Sequence, residues 1–349
     1  MRVCMIVNNI KTEGNHYTTT LLAQKLHNRK HEVFYIGVDD LSCYADGYIG
    51  GKAVQAEPGK TYRTTTSYLD ALKANSSKKE KITAAEMDIL LLRNDPAEED
   101  KTRAWARVAG ISFGQMAIEN GTIVLNDAYG LSRALNKMYF QQFPKEVRPE
   151  TLISRNKQEI NEFFLSRNEN IILKPLFGSG GKSVFQVNRD NVKNLNQMIE
   201  AISNDGFVVA QEFLPESEKG DTRVFLLNGD MIQHKGKYAA VQRVNPLGDI
   251  RSNLHVGGTA RPAVITDEIR QIAAMVKPYL VRDGMFFAGL DIIGAKLIEI
   301  NVFSPGGFFS ACRLENTDFT ELIIQSMKHK VYLKSLYQSK LPNNILAIL

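Results

Sequence analysis

Apolar positions along the chain keep two rhythms. Short runs bounded by polar or turn residues alternate with stretches in which apolar side chains recur three and four residues apart. Residues 3–7 (Val-Cys-Met-Ile-Val) end on Asn8 and Asn9, which predicts a short buried strand. Leu21, Leu22, Lys25 and Leu26 stand at helical spacing and predict a helix over residues 17–29; residues 33–36 (Val-Phe-Tyr-Ile) return as a strand. Asp46-Gly47, Gly50-Gly51 and Pro58-Gly59 break residues 44–66 into hairpin-like pieces, and the polar residues 73–81 read as a mobile connection. A helix over residues 101–120 separates two further strands, 89–92 and 122–125. Strands alternating with helices predict a parallel sheet covered on both faces.

Beyond Asn126 the rhythm changes. A helix over 130–143 leads to strand 151–154, helix 157–166 and strand 171–175; a glycine-rich turn is followed by strand 183–187, helix 191–204 and strand 208–213. Strands then dominate, at 223–227, 231–238, 286–293 and 297–302, with one long helix at 266–282. The predicted class is α/β followed by α+β. Three domains are expected: an α/β unit over residues 1–126, a small α+β unit over 127–208 and a larger antiparallel unit over 209–349.

Composition narrows the classes. With 349 residues, 44% hydrophobic and 23% charged, the chain is neither collagen-like, nor a disulfide scaffold, nor broadly disordered. A net charge of +5, from 43 basic against 38 acidic residues, comes with no long single-sign run. It argues for no nucleic-acid partner, and a small polyanion such as a nucleotide accounts for it. Cys4, Cys43 and Cys312 lie far apart and in no metal-ligand spacing, which fits a reducing cytoplasm. The apolar run at the start is too short for a signal peptide, and no run approaches the ~20 residues of a membrane helix.

Three tracts carry chemistry. In Gly289-Leu-Asp291-Ile-Ile-Gly-Ala-Lys-Leu-Ile-Glu299-Ile-Asn301, two strand-like runs flank a turn, and Glu299 and Asn301 share one face because side chains alternate. Asp291 on the neighbouring strand can face them. A buried carboxylate pair is costly unless something neutralises it, and a hard cation with oxygen ligands does so. A hairpin with hydrogen-bonded polar ends is the alternative that the pattern leaves open. The second tract, Ile171-Ile-Leu-Lys174-Pro175 followed by Gly178-Ser179-Gly180-Gly181, ends a buried strand on a lysine beside a loop able to approach phosphates. It is neither a Walker loop nor GxGxxG, and by itself it is compatible with a plain turn. The third, Gln211-Glu212-Phe213-Leu214-Pro215 and then Gly220-Asp221-Thr222-Arg223, stops a strand at a proline and sets Asp221 and Arg223 on one side.

In this order the tracts resemble the prokaryotic glutathione synthetases of the ATP-grasp superfamily. The likeness extends to Leu92-Arg-Asn-Asp-Pro96, Asn126, residues 131–137 and 151–156, Arg251-Ser-Asn253, Gly257-Gly258 and residues 290–305. It implies an ATP-grasp fold behind an N-terminal parallel-sheet α/β domain. It further implies ATP as co-substrate, Mg²⁺ or Mn²⁺, and amide-bond formation through an acyl phosphate, with γ-glutamylcysteine as acid and glycine as amine. Lys137 and Lys174 match the phosphate-holding lysines, Gly178, Ser179, Gly180 and Gly181 a covering loop, and Glu212, Phe213 and Leu214 the adenine hinge. Asp221 matches the ribose ligand, and Asp291, Glu299 and Asn301 the metal ligands. Arg223, Arg251 and Asn253 match polar residues facing the transferring group, and residues 244–254 a second mobile cover. A homodimer or homotetramer without membrane or nucleic-acid partners is expected.

The chain departs from the family where substrates are chosen. After Asn301 the family carries Val-Thr-Ser-Pro-Thr-Gly or close to it; here Val302-Phe303-Ser304-Pro305-Gly306-Gly307 stands. The stretch Asn15-His16-Tyr17-Thr18-Thr19-Thr20 and the glycine-broken segment 44–66 also differ. Two alternatives follow: a sister ligase joining other amino acids or peptides, and an ATP-binding protein without turnover.

Overall fold

Val3, Cys4, Met5, Ile6 and Val7 are all buried, so the strand Arg2–Val7 has no face to offer water. It is central in its sheet. Glu32–Gly37 pairs with it in parallel on one side and Ile89–Leu92 on the other, and Ile89–Leu92 pairs in parallel with Ile123–Leu125. Alternate residues feed separate cores: Cys4 and Ile6 join one, Val3, Met5 and Val7 the other. The computed structural model describes residues 1–178, 180–245 and 258–349.

The sheet continues past its parallel part. Ile49–Gln55 pairs antiparallel with Glu32–Gly37, Leu41–Cys43 and Glu80–Thr83. Residues 44–66 are therefore not only turns. A Cβ on Gly50 would stand 2.0 Å from the Ile82 carbonyl oxygen, so this glycine permits close approach within a strand. Nor are residues 73–81 a free connection. The helix Thr65–Ala74, started by a Thr64–Ser67 capping box, enters from one side and Glu80–Thr83 leaves from the other.

Strand Arg2–Val7 has its successor Glu32–Gly37 on one side and the later strand Ile89–Leu92 on the other. The crevice beyond their carboxyl ends is a switch point of the kind that binds ligands in open α/β sheets. Asn8 closes one strand end onto the other. Its Nδ2 donates to the Asp95 carbonyl at 2.9 Å, and its Oδ1 accepts from the Asp95 N–H at 2.7 Å.

The expected helix over 130–143 is broken. Ala128–Arg133 is helical and Tyr139–Gln142 forms a 3-10 turn. Between them the Asn136 side chain accepts the Met138 N–H at 2.9 Å, a local bond that competes with helix continuation. The break turns Lys137 out of helical register and lets its N–H reach the Leu176 carbonyl at 3.2 Å.

Four antiparallel strands follow, in the order Phe185–Val187, Ile171–Pro175, Val208–Glu212, Thr151–Ser154. Helices Lys157–Ser166 and Leu195–Ser203 pack on them through Ile160, Phe164, Leu195, Ile199 and Ile202. The last sheet runs Thr259–Pro262, Ala240–Val244, Asp221–Leu227, Phe287–Ile293, Lys296–Asn301, all antiparallel. The single strand expected over 231–238 is interrupted: Gln233–His234 and Lys237–Tyr238 form a separate hairpin. Helix Asp267–Arg282 packs Ile269, Ile272, Val276 and Leu280 into the core. Asn126 ties the first sheet to the last: its Nδ2 donates to the Phe287 and Val302 carbonyls at 2.9 and 2.5 Å, and its Oδ1 accepts the Phe287 N–H at 2.7 Å. No described helix is long and apolar enough to cross a membrane.

Candidate active site

The four-stranded sheet and the last sheet face each other across a cleft of about 980 Å³, open solvent included. One part of its wall is aliphatic, with Ile172, Val184, Leu214, Ile293 and Ile298, and suits a flat ring. The hinge borders that part. The Glu212 N–H is engaged with the Glu150 carbonyl at 3.0 Å, whereas no described acceptor takes the Leu214 N–H. Gly178, Gly180 and Gly181 border the cleft with left-handed backbone angles of +118°, +68° and +74°.

The rest of the wall is charged. Lys174 ends its strand inside the cleft with Nζ 3.0 Å from Gln211 Oε1; burial pushes its ammonium down to about 8, against the opposing pull of Glu299. Lys137 donates to the Gly178 carbonyl at 2.6 Å, and burial lowers it too. Two half-buried ammonium groups beside a glycine loop make a site short of anion. That is the chemistry of a polyphosphate.

Opposite them stand the three predicted metal ligands. Pairing sets Asp291 against Glu299 and Gly289 against Asn301, with a register irregularity after Asp291. Asn301 Nδ2 donates to Asp291 Oδ2 at 3.3 Å. The Glu299 carboxylate accepts no hydrogen bond from a described residue, and its charge is felt by both lysines. Among the described residues no three His, Cys, Asp or Glu side chains gather closely enough to cage an ion. Two carboxylates and an amide oxygen nevertheless fit a hard divalent cation that takes its remaining ligands from phosphate and water.

The sequence missed a member of this wall. Arg243, on the unpredicted strand Ala240–Val244, forms buried ion pairs with both Asp221 and Asp291. Arg223 donates from Nε and Nη2 to the two Asp291 oxygens, each at 2.6 Å. Burial alone would raise Asp291, but the two guanidiniums outweigh it and hold the carboxyl low, at about 2. A signal existed in Gln242-Arg243-Val244, an arginine within a strand-like run; only the pairing of Asp221 with Arg243 across the ladder reveals its task.

A second cavity, of about 870 Å³ with open solvent included, adjoins the first and shares Lys137, Lys174 and Glu299 with it. Asp95, Tyr139, Phe140, Asn301, Phe303 and Ser304 line it. Burial pushes Asp95 up to about 6. Phe303 is half-buried, borders this cavity and packs against the core as well. His16 lies against the Phe309 ring, with centroids 4.7 Å apart. The predicted Ser179, Arg251 and Asn253, and most of the proposed cover 244–254, lie outside the described residues.

Residues 1–131 match the N-terminal domain of prokaryotic glutathione synthetase, and residues 136–316 match its ATP-grasp domain. The chain belongs to the prokaryotic glutathione synthetase family. Among curated relatives, the glutathione synthetase of Synechocystis is 31% identical over 333 residues, 93% of this chain and 98% of that protein. That of Buchnera aphidicola is 30% identical over 330 residues, 93% and 94% of the two chains. Solved structures agree on the fold. D-cycloserine synthetase DcsG superposes with a TM-score of 0.60 at 13% identity, covering 93% of this chain and 99% of its own. The ATP-grasp ligase PsnB, complexed with a minimal precursor, gives 0.58 at 15%, covering 94% and 99%.

Proposed function

We propose that the protein is a glutathione synthase, an ATP-dependent ligase that joins γ-glutamylcysteine to glycine through an acyl phosphate. Membership of the family supports the reaction class. One geometric observation supports the assignment of roles: two half-buried lysines, Lys137 and Lys174, face Glu299 and Asp291 across a cleft with an aliphatic slot at its side.

In this reaction the acid carboxylate attacks the γ-phosphate of ATP, and the amine then displaces phosphate from the acyl carbon. Such transfer needs positioning and charge neutralisation more than a protein nucleophile. Lys137 and Lys174 hold the phosphates, the Leu214 N–H reads the base, and Asp221 accepts from a ribose hydroxyl. The resemblance would give Arg223, Arg251 and Asn253 the polar contacts to the transferring group. Mg²⁺ or Mn²⁺ on Asp291, Glu299 and Asn301 would supply further neutralisation of phosphate charge. Gly178, Ser179, Gly180, Gly181 and residues 244–254 would keep water from the acyl phosphate. We place the enzyme in the cytoplasm as a homodimer or homotetramer; a 39.1 kDa particle in light scattering at micromolar concentration contradicts the assembly.

A second reading, a sister ligase with a larger or more apolar amine, is favoured by Phe303 at the edge of the second cavity. ADP release separates the readings. The protein is supplied with candidate acids, including γ-glutamylcysteine, and with a series of amino acids, and products are weighed by mass spectrometry. Turnover with γ-glutamylcysteine and glycine supports glutathione synthesis; turnover only with another pair supports the sister ligase. No ADP with any acid–amine pair leaves an ATP-binding protein without turnover.

A further inference from the structure

Gly306 is a glycine that neither backbone nor packing demands. A Cβ placed on it would meet no atom within 4 Å, and its φ is not positive. Among the described residues, every other glycine with that much room, such as Gly47, Gly59 and Gly236, has a positive φ and so a conformational reason to be glycine. The neighbouring Gly307 has the same reason, with φ +92°. A glycine without one widens the freedom of the unfolded chain and adds nothing to the fold. What its missing side chain leaves is space.

That space adjoins the reacting end of the site. Arg223 donates from Nη1 to the Gly306 carbonyl at 3.1 Å and from Nε and Nη2 to Asp291, each at 2.6 Å. The N-terminal unit holds the same loop. Thr18 Oγ1 donates to the Pro305 carbonyl at 2.8 Å, Arg93 donates to the Phe303 carbonyl and to Ser304 at 3.2 Å, and the His16 ring lies 4.7 Å from that of Phe309. The two segments in which the chain departs from the family, 15–20 and 302–307, therefore meet here. A loop bonded to both units does not retreat from a side chain placed on it.

Of the two substrates, only the acid donor must bring its carboxylate to the transferring phosphate beside Asp291; the amine meets the acyl carbon afterwards. We propose that Gly306 is a specificity-determining position, whose missing side chain makes room for an acid donor bulkier beside its reacting carboxylate than γ-glutamylcysteine. This rests on the ligase reading above and deepens it. The family pattern has threonine at both 303 and 306, where this chain has phenylalanine and glycine. Bulk enters one wall and leaves the other, so the pocket is reshaped and not merely enlarged.

Gly306→Thr restores the side chain and tests this. Donor affinity is read by isothermal titration calorimetry on the full chain saturated with Mg²⁺ and a non-hydrolysable ATP analogue, with γ-glutamylcysteine and γ-glutamylleucine as donors. The parent should bind γ-glutamylleucine at least as tightly as γ-glutamylcysteine. In Gly306→Thr the leucine donor should weaken about ten-fold or more relative to the cysteine donor, because a filled pocket rejects added methylenes. Affinity for the ATP analogue and melting temperature should stay near the parent values, and Gly306→Ala should give a smaller shift in the same direction. A leucine-to-cysteine ratio that Gly306→Thr leaves unchanged overturns the proposal, as does a parent that rejects the leucine donor. So does melting lowered by more than about 5 °C in both variants, which would give this glycine a structural reason. Donors that bind with an unchanged ratio sink this proposal alone. A nucleotide-loaded parent that binds no donor, and releases ADP with no acid–amine pair, sinks the ligase reading and the proposal with it.

Discussion

Arg93, at the end of the strand run Ile89–Leu92, reaches across to Ser304 beyond the carboxylate hairpin. Its Nη2 donates to Ser304 Oγ and its Nη1 to the Phe303 carbonyl, both at 3.2 Å, while Nε donates to Thr19 Oγ1 at 3.0 Å. The guanidinium also lies 5.9 Å from the Phe287 ring centroid. The loop that shapes the second cavity is thus held by the N-terminal unit. A substrate seated there would feel any change in how the two units meet.

Arg93→Met keeps an apolar stem of similar reach and removes all three hydrogen bonds. The Phe303 carbonyl and two hydroxyls are left without their donor, so a loss of about 3 kcal/mol in urea unfolding is expected. KM for the acid and the amine should rise while KM for ATP stays near the parent value. An equal rise in KM for ATP would show that Arg93 acts on the whole fold and not on the loop.

Phe303→Thr tests the departure from the family directly. The ring borders the cavity and also packs on the core, so both specificity and stability should move. The ratio of kcat/KM for glycine and larger amines should shift by more than about ten-fold, since a restored hydroxyl can change discrimination more than lost methylenes do. Melting should report a loss of about 1–2 kcal/mol from the removed aromatic surface. A fall in stability with an unchanged acceptor ratio would make Phe303 a packing residue alone.

What the sequence discloses depends on how strongly physics constrains each segment. Arg2–Val7, Ile89–Leu92 and Ile171–Pro175 are legible because strands buried inside a domain leave continuous apolar runs. Lys174 is legible because a lysine at the end of such a run demands an anion. Ile49–Gln55 is not, because Gly50 has the same letter whether it serves a turn or admits the Ile82 carbonyl. The helix break at Asn136 depends on one side-chain bond that no periodicity reveals. Arg243 depends on cross-strand register, which becomes visible only once its own strand is found.

Glu299→Gln keeps the side chain's shape and removes its charge. Lys137 and Lys174 lose a neighbouring charge, but no described hydrogen bond ends on that carboxylate, so the protein should stay folded. Turnover should fall about a hundred-fold or more, the usual effect of losing a preorganised group where charge develops. ADP release at limiting magnesium checks it, and near-parent turnover would remove Glu299 from the metal set.

Lys330 lies far along the chain from these tracts, fully buried on the helix Thr320–Tyr337. Its Nζ donates to Asn228 Oδ1 at 3.0 Å and Ser326 Oγ at 3.2 Å, and it stands 5.0 Å from the Phe286 ring centroid. Among the described residues no carboxylate bonds it, and burial lowers it from 10.5 to about 7. Between those values the unfolded chain holds a proton that the folded chain has released, so unfolding becomes harder as pH rises. Below the folded value both states are protonated and the cost of burying the charge is paid in full. Lys330→Met removes this cost together with two hydrogen bonds whose loss does not depend on pH. The melting temperature of Lys330→Met minus that of the parent should therefore be most favourable to the mutant near roughly pH 6 and decline toward about pH 9. Differential scanning calorimetry at both ends gives the answer, and a difference that stays constant across the range would mean that Lys330 does not titrate there.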